Sequence, residues 1–200
     1  MPHSVWLEDT PGKQLVIRFG EPGEEFEKSP GHLDSLALPE AWRNGAEDKP
    51  AAFVVEKKSD HFLLVGADPA VSTQGETRFP VMKRGQRPAS WPQFYVRWQP
   101  AGSPAPATPS LLLDILPTGP AGEFRVYLRG QPLPNAVVQT HGGGKEIDLT
   151  ADAEGRFKYT ATAPGLVLLT CNHKEELKGF AGGVAYEVTS HNTALTWRQP

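Results

Sequence analysis

Short runs in which hydrophobic and polar residues alternate recur along the chain, and each run is typical of a β-strand. Before residue 100 they predict four strands, Gln14–Phe19, Ala52–Glu56, His61–Val65 and Phe94–Trp98. The polar connector 57–60 between the second and third runs predicts a β-hairpin. In the segment 32–42 the apolar positions keep no 3.6-residue period and a proline interrupts them, so at most a short helical turn is expected there.

After residue 110 such runs follow one another about every ten residues, and no helical segment separates them. This spacing predicts an antiparallel sandwich rather than a parallel sheet with crossover helices. The fold class is therefore predicted to be all-β. The predicted strands are Leu111–Leu116, Phe124–Leu128, Ala136–Thr140, Ile147–Thr150, Arg156–Thr160, Leu166–Asn172, Val184–Thr189 and Thr193–Trp197.

Glycine and proline, 20 of each among 200 residues, supply the turns that many short strands need. The stretch QPAGSPAPATPS favours extended polyproline II structure and cannot continue a hydrogen-bonded ladder. It predicts an N-terminal β domain at 1–100, a Pro-rich linker at 101–110 and a C-terminal β-sandwich at 111–200. A long crossover between two halves of one sandwich is the alternative.

Charge and cysteine content exclude several classes of protein. The net charge is −3 and no more than two basic residues are adjacent, so a nucleic-acid partner is not expected. No stretch is long and apolar enough to predict membrane insertion. The single cysteine, Cys171, excludes an intrachain disulfide, and the oligomeric state stays open. In the densest acidic run, 21–27, a solvated loop is favoured over a cation-attracting patch.

Motifs of known catalytic chemistry are absent from the sequence. Gly-x-Ser-x-Gly does not occur, and the glycine-rich segment HGGGK at 141–145 lacks the spacing of a phosphate-binding loop. That segment is interpreted as a flexible hairpin tip. No pair of carboxylates is marked by its context, so the chain is predicted not to be an enzyme.

The string VYLRGQPLPNAVVQT, followed by LTADAEGRFKYTATAPGLVLL, resembles the transthyretin-like or carboxypeptidase-regulatory-like module. That module combines Gly-x-Pro-Leu-x-x-Ala, Thr-Asp-x-x-Gly-x-Phe and Pro-Gly between successive strands. Ala151 departs from the pattern as an insertion. The resemblance implies that the C-terminal half is a transthyretin-like β-sandwich. The matching positions are Gly130, Pro132, Leu133, Ala136, Thr150, Asp152, Gly155, Phe157, Pro164 and Gly165.

The opening His3-x-x-Trp6-Leu7 is similar to the mature start of a broader family. Its members are exported bacterial proteins of unknown function, often associated with nickel or cobalt uptake permeases. Segments 165–173 and 186–197 resemble the C-terminal half of that family, whereas 20–87 resembles it poorly. The resemblance implies a periplasmic or otherwise exported protein with a role in transition-metal transport. It also implies an uptake permease or another envelope protein as partner. No signal peptide is recognisable before His3.

Any metal site must draw its ligands from distant segments, because the six histidines form no His-x-x-x-His pair and Cys-x-x-Cys is absent. His3 is the favoured ligand, since an imidazole beside a free terminal amine can chelate Cu²⁺ or Ni²⁺. A terminus without function is the alternative. His173 shares a strand face with Cys171, so the two side chains could bind one metal ion. The alternative is that Cys171 is a buried thiol and His173 lies at the end of the strand without binding a metal. His191 could be a ligand near the rim or a hydrogen-bonded histidine. The predicted ligands of nickel, cobalt or copper are thus His3, His173 and His191.

A second hypothesis needs no metal and assigns the aromatic segment 91–98 to binding. If their rings are exposed to solvent, Trp91 and Tyr95 could stack on a glycan or a protein partner. Strand alternation places Phe94, Val96 and Trp98 on the opposite face from Tyr95, and this favours a core position for the first three.

Overall fold

The computed structural model describes residues 3–44, 52–102, 108–119 and 122–200, and these residues are nearly all in β-strands or the turns between them. The all-β prediction is confirmed. Within these ranges the one helical element is a single 3₁₀ turn, η1, at His32–Ser35. The first seven strands are β1 Ser4–Asp9, β2 Leu15–Gly20, β3 Glu40–Arg43, β4 Val54–Lys57, β5 Phe62–Val65, β6 Thr73–Arg78 and β7 Ser90–Trp98.

Ten further strands follow residue 110 among the described residues. Part of the predicted linker, 103–107, lies outside the described residues. The strands are β8 Leu113–Pro117, β9 Glu123–Leu128, β10 Gln131–Pro132, β11 Val137–His141, β12 Asp148–Thr150, β13 Arg156–Lys158, β14 Gly165–Glu175, β15 Gly179–Ala181, β16 Val184–Tyr186 and β17 Val188–Gln199.

Three sheets form the body of the structure. The N-terminal sheet has the strand order β1-β2-β5-β4, and its β4–β5 pair is the predicted hairpin. The central sheet has seven strands in the order β12-β11-β14-β17-β7-β6-β3. In the C-terminal sheet, β9 pairs with β8, β10 and β13. Strands β15 and β16 form a separate two-stranded hairpin.

The central sheet takes strands from both sides of the predicted linker. Strand β7, before the linker, pairs in parallel with β17 at the end of the chain, from Val188↔Ser90 to Thr196↔Trp98. Segments 1–100 and 111–200 therefore share one hydrogen-bonded sheet.

Both faces of the central sheet are covered, so the alternation along β7 separates two cores rather than core from solvent. Phe94, Val96 and Trp98 are buried against the N-terminal sheet, as the alternation predicted. Tyr95 points the other way and is 3% exposed in the core shared with the C-terminal sheet. Cys171, on β14, lies in that second core as the predicted buried thiol.

The glycine-rich turn between β11 and β12 is packed rather than free. Gly142 has φ 67°, and a Cβ there would lie 2.1 Å from the carbonyl oxygen of Leu166. Only glycine allows this approach, and the next residue, Gly143, accepts backbone hydrogen bonds from Thr162 and Ala163.

Candidate metal centre

Three side chains with metal-binding groups come together at one end of the N-terminal sheet: His3, Glu27 and His32. Their ligand atoms all lie within 4.8 Å of one another, and among the described residues this is the one group of three or more such side chains. Glu27 Oε1 stands between the imidazoles, 2.5 Å from His3 Nε2 and 3.2 Å from His32 Nδ1. The group joins two segments that are 24 residues apart in sequence.

His3 is positioned by the start of β1. Ser4 pairs with Gly20 and Val5 with Phe19 in the β1–β2 ladder, so the residue before Ser4 lies beside the chain that leaves β2. The His3 ring packs against Phe19 with centroids 5.3 Å apart. One face of the imidazole is thus supported by the core, while the residue as a whole remains exposed.

Glu27 is positioned by a loop that folds back onto the end of β2. Phe26 forms an isolated bridge with Gly20, and the Glu27 amide donates to the Phe19 carbonyl at 2.9 Å. The Arg18 guanidinium carbon lies over the Phe26 ring, 4.2 Å from the ring centroid, and the same ring packs beside Trp6. These contacts fix the backbone of Glu27 beside the end of β2, where its carboxylate reaches His3.

His32 is positioned by η1. Leu33, the next residue, is fully buried and anchors the turn in the core. Asp34 closes the turn by accepting hydrogen bonds from the Gly31 amide at 3.0 Å and the Ser29 hydroxyl at 2.8 Å. The His32 ring itself is exposed, 6.2 Å from the His3 ring between centroids.

The electrostatics of the group favour an ionised carboxylate. Partial burial opposes ionisation of Glu27, but hydrogen bonds from His3 and His32 and their positive charge outweigh it, so the pKa of Glu27 lies below its usual value. A second carboxylate, Glu21, lies 4.0 Å from His3 Nδ1. The site therefore offers an anionic oxygen beside two imidazoles.

Two of the three separations between ligand atoms are close to those of a tetrahedral metal site. Metal–nitrogen and metal–oxygen bonds of ~2.0–2.2 Å place tetrahedral ligand atoms ~3.3 Å apart. His32 Nδ1 and Glu27 Oε1 already have this separation, whereas His3 Nε2 must retreat from Glu27 by roughly 0.8 Å. Three protein ligands would leave at least one coordination position open.

The other two predicted ligands lie elsewhere. His173 and His191 are directly opposed in the β14–β17 ladder, on the face of the central sheet that carries the C-terminal core. His191 is 1% exposed, and both its nitrogens are engaged, Nδ1 with the Tyr95 hydroxyl at 3.1 Å and Nε2 with Glu175 at 2.9 Å. His3 contacts the core on the opposite face through Phe19. The structure thus pairs His173 with His191 but brings neither to His3.

The aromatic pair of the second hypothesis is not an exposed platform. Tyr95 is buried and its hydroxyl donates to Gln93 Oε1 at 2.7 Å. Trp91 is half-buried beside Tyr186, with ring centroids 5.2 Å apart. Tyr95 therefore offers no ring face to a glycan.

Sequence reasoning missed Glu27 and His32. The signal for Glu27 was present in the acidic run 21–27, but a run of carboxylates is as typical of a solvated loop. His32 carried no signal, because its approach to His3 depends on the β1–β2 ladder and on the loop that leaves it.

Comparisons with known proteins give no family for the chain. No protein-family model matches it, and searches of curated proteins and of solved structures found no match. Within the described ranges, no helix is long and apolar enough to cross a membrane.

Proposed function

We propose that this protein binds a divalent transition metal, nickel, cobalt or copper, through His3, Glu27 and His32, without catalysing a reaction. The observation that carries the proposal is the convergence of these three side chains from separate segments. The resemblance of the opening His3-x-x-Trp6-Leu7 to exported proteins associated with metal uptake supports a periplasmic role in metal delivery to a permease or another envelope protein.

The ligand set suits these ions better than hard ones. Imidazole nitrogen is a ligand of first-row transition metals, whereas Mg²⁺ and Ca²⁺ prefer shells made wholly of oxygen. Two imidazoles and one carboxylate with open positions fit nickel, cobalt, copper or zinc. The preference among them is set by affinity and availability rather than by this set of donors.

The experiment is thermal unfolding with and without Ni²⁺, Co²⁺, Cu²⁺ and Zn²⁺. An ion at a hundredfold excess over its dissociation constant stabilises the folded state by about 2.7 kcal/mol, which raises the melting temperature of a chain of this size by about 5–11 °C. The variants His3→Ala, Glu27→Gln and His32→Ala should each remove most of the shift.

The matched control is His173→Ala, because His173 is also a partly exposed histidine and was a predicted ligand. It should leave the shift unchanged. If His173→Ala removes the shift and His32→Ala does not, the metal binds on the other face of the central sheet. If no ion shifts the melting temperature, the proposed function fails.

We also propose that segments 1–100 and 111–200 are two sandwich-like halves that share the central sheet as a common layer. Two separate cores, one under each outer sheet, support this division. Fragments expressed apart are the test: each should keep its outer sheet and lose strand pairing in the central one. Two fully stable fragments would argue for independent domains.

A further inference from the structure

The candidate metal centre opens onto a groove of about 920 Å³ that no sequence signal marked. Its lining combines residues of the N-terminal sheet with residues of the central sheet. His3 and His32 line one wall, and Phe19, Phe79 and Phe94 line the adjoining surface. A volume in this range accommodates a small organic molecule.

The floor of the groove is polar and ordered. It is formed by alternate residues of β14 and β17, among them Asn172, Ser190 and Asn192. Asn172 Nδ2 donates to Ser190 Oγ at 2.9 Å and to Asn192 Oδ1 at 2.8 Å. Asn192 Nδ2 in turn donates to the Gln93 carbonyl at 3.0 Å. A hydrogen-bonding floor of this kind suits a ligand rich in oxygen rather than an apolar one.

Three cations also line the groove: Arg84, Arg87 and Lys174. Arg84 and Arg87 stand on one turn, closed by a hydrogen bond from the Arg87 amide to the Arg84 carbonyl at 3.1 Å. Lys174 lies at the end of the floor. Within the described part of the chain none of these three cations has a carboxylate within 4.0 Å, and Glu21 is the one acidic side chain in the lining. The groove is thus locally cationic in a chain whose net charge is −3.

We propose that the groove binds the metal as a complex with a small carboxylate chelator, so that the cargo is an anionic metal chelate rather than the bare ion. This inference rests on the proposed function. The imidazoles of His3 and His32 take the metal from one side, and the chelator fills its open positions from the groove. Arg84, Arg87 and Lys174 neutralise the carboxylates that project away from the metal, because guanidinium groups pair well with carboxylates.

The test is equilibrium dialysis of the full chain with labelled metal and labelled chelator. The metal is Ni²⁺, or whichever ion raises the melting temperature most, and the chelators are citrate and malonate. The unmodified protein should retain metal and at least one chelator in a one-to-one ratio. The variant Arg84→Ala/Arg87→Ala should lower chelator retention about tenfold, the expected loss for two partly screened charge pairs, while binding of the metal alone changes less than about twofold.

Two further variants complete the design. Lys83→Ala removes a cation that directly precedes this turn and does not line the groove, so it should leave retention unchanged. His3→Ala/His32→Ala should abolish retention of metal and chelator together. Far-ultraviolet circular dichroism of each variant confirms that the fold is intact.

The failures of the two proposals are distinguishable. If the protein binds the metal alone but citrate and malonate both strip it without being retained, the chelate proposal is overturned and the proposed function stands. Equal retention of a chelator with and without metal would also overturn the chelate proposal, since the groove would then be a plain anion site. If no metal is retained under any condition, the proposed function fails first.

Discussion

The ion pair between Arg97 and Asp114 is the most buried charge interaction that the structure describes, with side chains 1% and 0% exposed. Arg97 lies on β7 and Asp114 on β8, so the pair connects the two sides of the predicted linker. Arg97 Nε donates to Asp114 Oδ1 at 3.0 Å and Nη2 donates to Oδ2 at 2.7 Å. Oδ2 also accepts the Ser110 and Leu111 amides.

Replacing Asp114 by Asn keeps the shape of the side chain and removes its charge. The guanidinium of Arg97 then stays buried without a counter-charge, a situation that costs about 3–5 kcal/mol. The Asn side chain keeps one acceptor oxygen for Arg97 but presents an NH₂ donor in place of the second oxygen, so at least one charge-assisted hydrogen bond, worth roughly 1.5–3 kcal/mol, is also lost. For a protein whose total stability is about 5–15 kcal/mol, Asp114→Asn removes a large part of it.

Urea unfolding measures this loss. With a slope of about 2–3 kcal/mol per M, the midpoint of Asp114→Asn should fall by about 1–2 M without a change in slope. The double variant Arg97→Met/Asp114→Leu should be less destabilised than the sum of its two single changes, because it leaves no buried charge unpaired. Asp9→Asn, which breaks the exposed pair with Arg198, is the control and should cost under about 1 kcal/mol. A cost of less than about 1 kcal/mol for Asp114→Asn, or additive single costs, would refute this account of the pair.

Three other predictions follow from single sites. Burial raises the pKa of the Cys171 thiol to about 12, so Ellman's reagent should not react with the folded protein and should react once urea unfolds it. Gly142→Ala should destabilise by at least about 2 kcal/mol in urea, whereas Gly130→Ala, at φ 75° in open space, should cost about 1 kcal/mol. Hydrogen bonds from Arg129 lower the pKa of Glu175 to about 2, so the stability that Glu175 contributes is complete above pH ~4.5 and is lost as the pH falls towards 2. Glu175→Gln should therefore flatten the acid limb of the stability curve measured by urea unfolding at each pH.

The hydrophobic pattern located β4, β5 and β7, which carry apolar core residues, and missed β6, which carries none. The predicted hairpin of β4 and β5 and the core face of β7 are confirmed because Phe62, Phe94 and Trp98 mark them. β6, Thr73–Arg78, was not predicted. Thr73 and Gln74 on this strand are buried. β6 lies between β3 and β7 and pairs with both of them, but none of its residues is apolar, so the hydrophobic pattern did not mark it.

Polar residues also caused the wrong strand boundaries predicted near the end of the chain. The pattern predicted two strands separated by the polar residues 190–192, but β17 runs unbroken from Val188 to Gln199. Ser190 and Asn192 face the groove and His191 faces Tyr95, so each polar residue has a partner that sequence spacing does not reveal.

One of the three ligands of the candidate site, His3, was predicted, and the other two were missed for a related reason. His3 was expected as a ligand on the basis of the chain start, but its partners depend on long-range pairing. Glu27 and His32 reach it because β1 pairs with β2 and the following loop returns along the Phe19 edge. The hydrophobic pattern does not mark polar residues whose partners are distant in sequence. Such residues form much of the groove and of the metal centre. In an all-β chain of this kind, binding residues are therefore best sought where polar residues interrupt the apolar pattern of a strand. A strand that continues through such residues must supply them with polar partners.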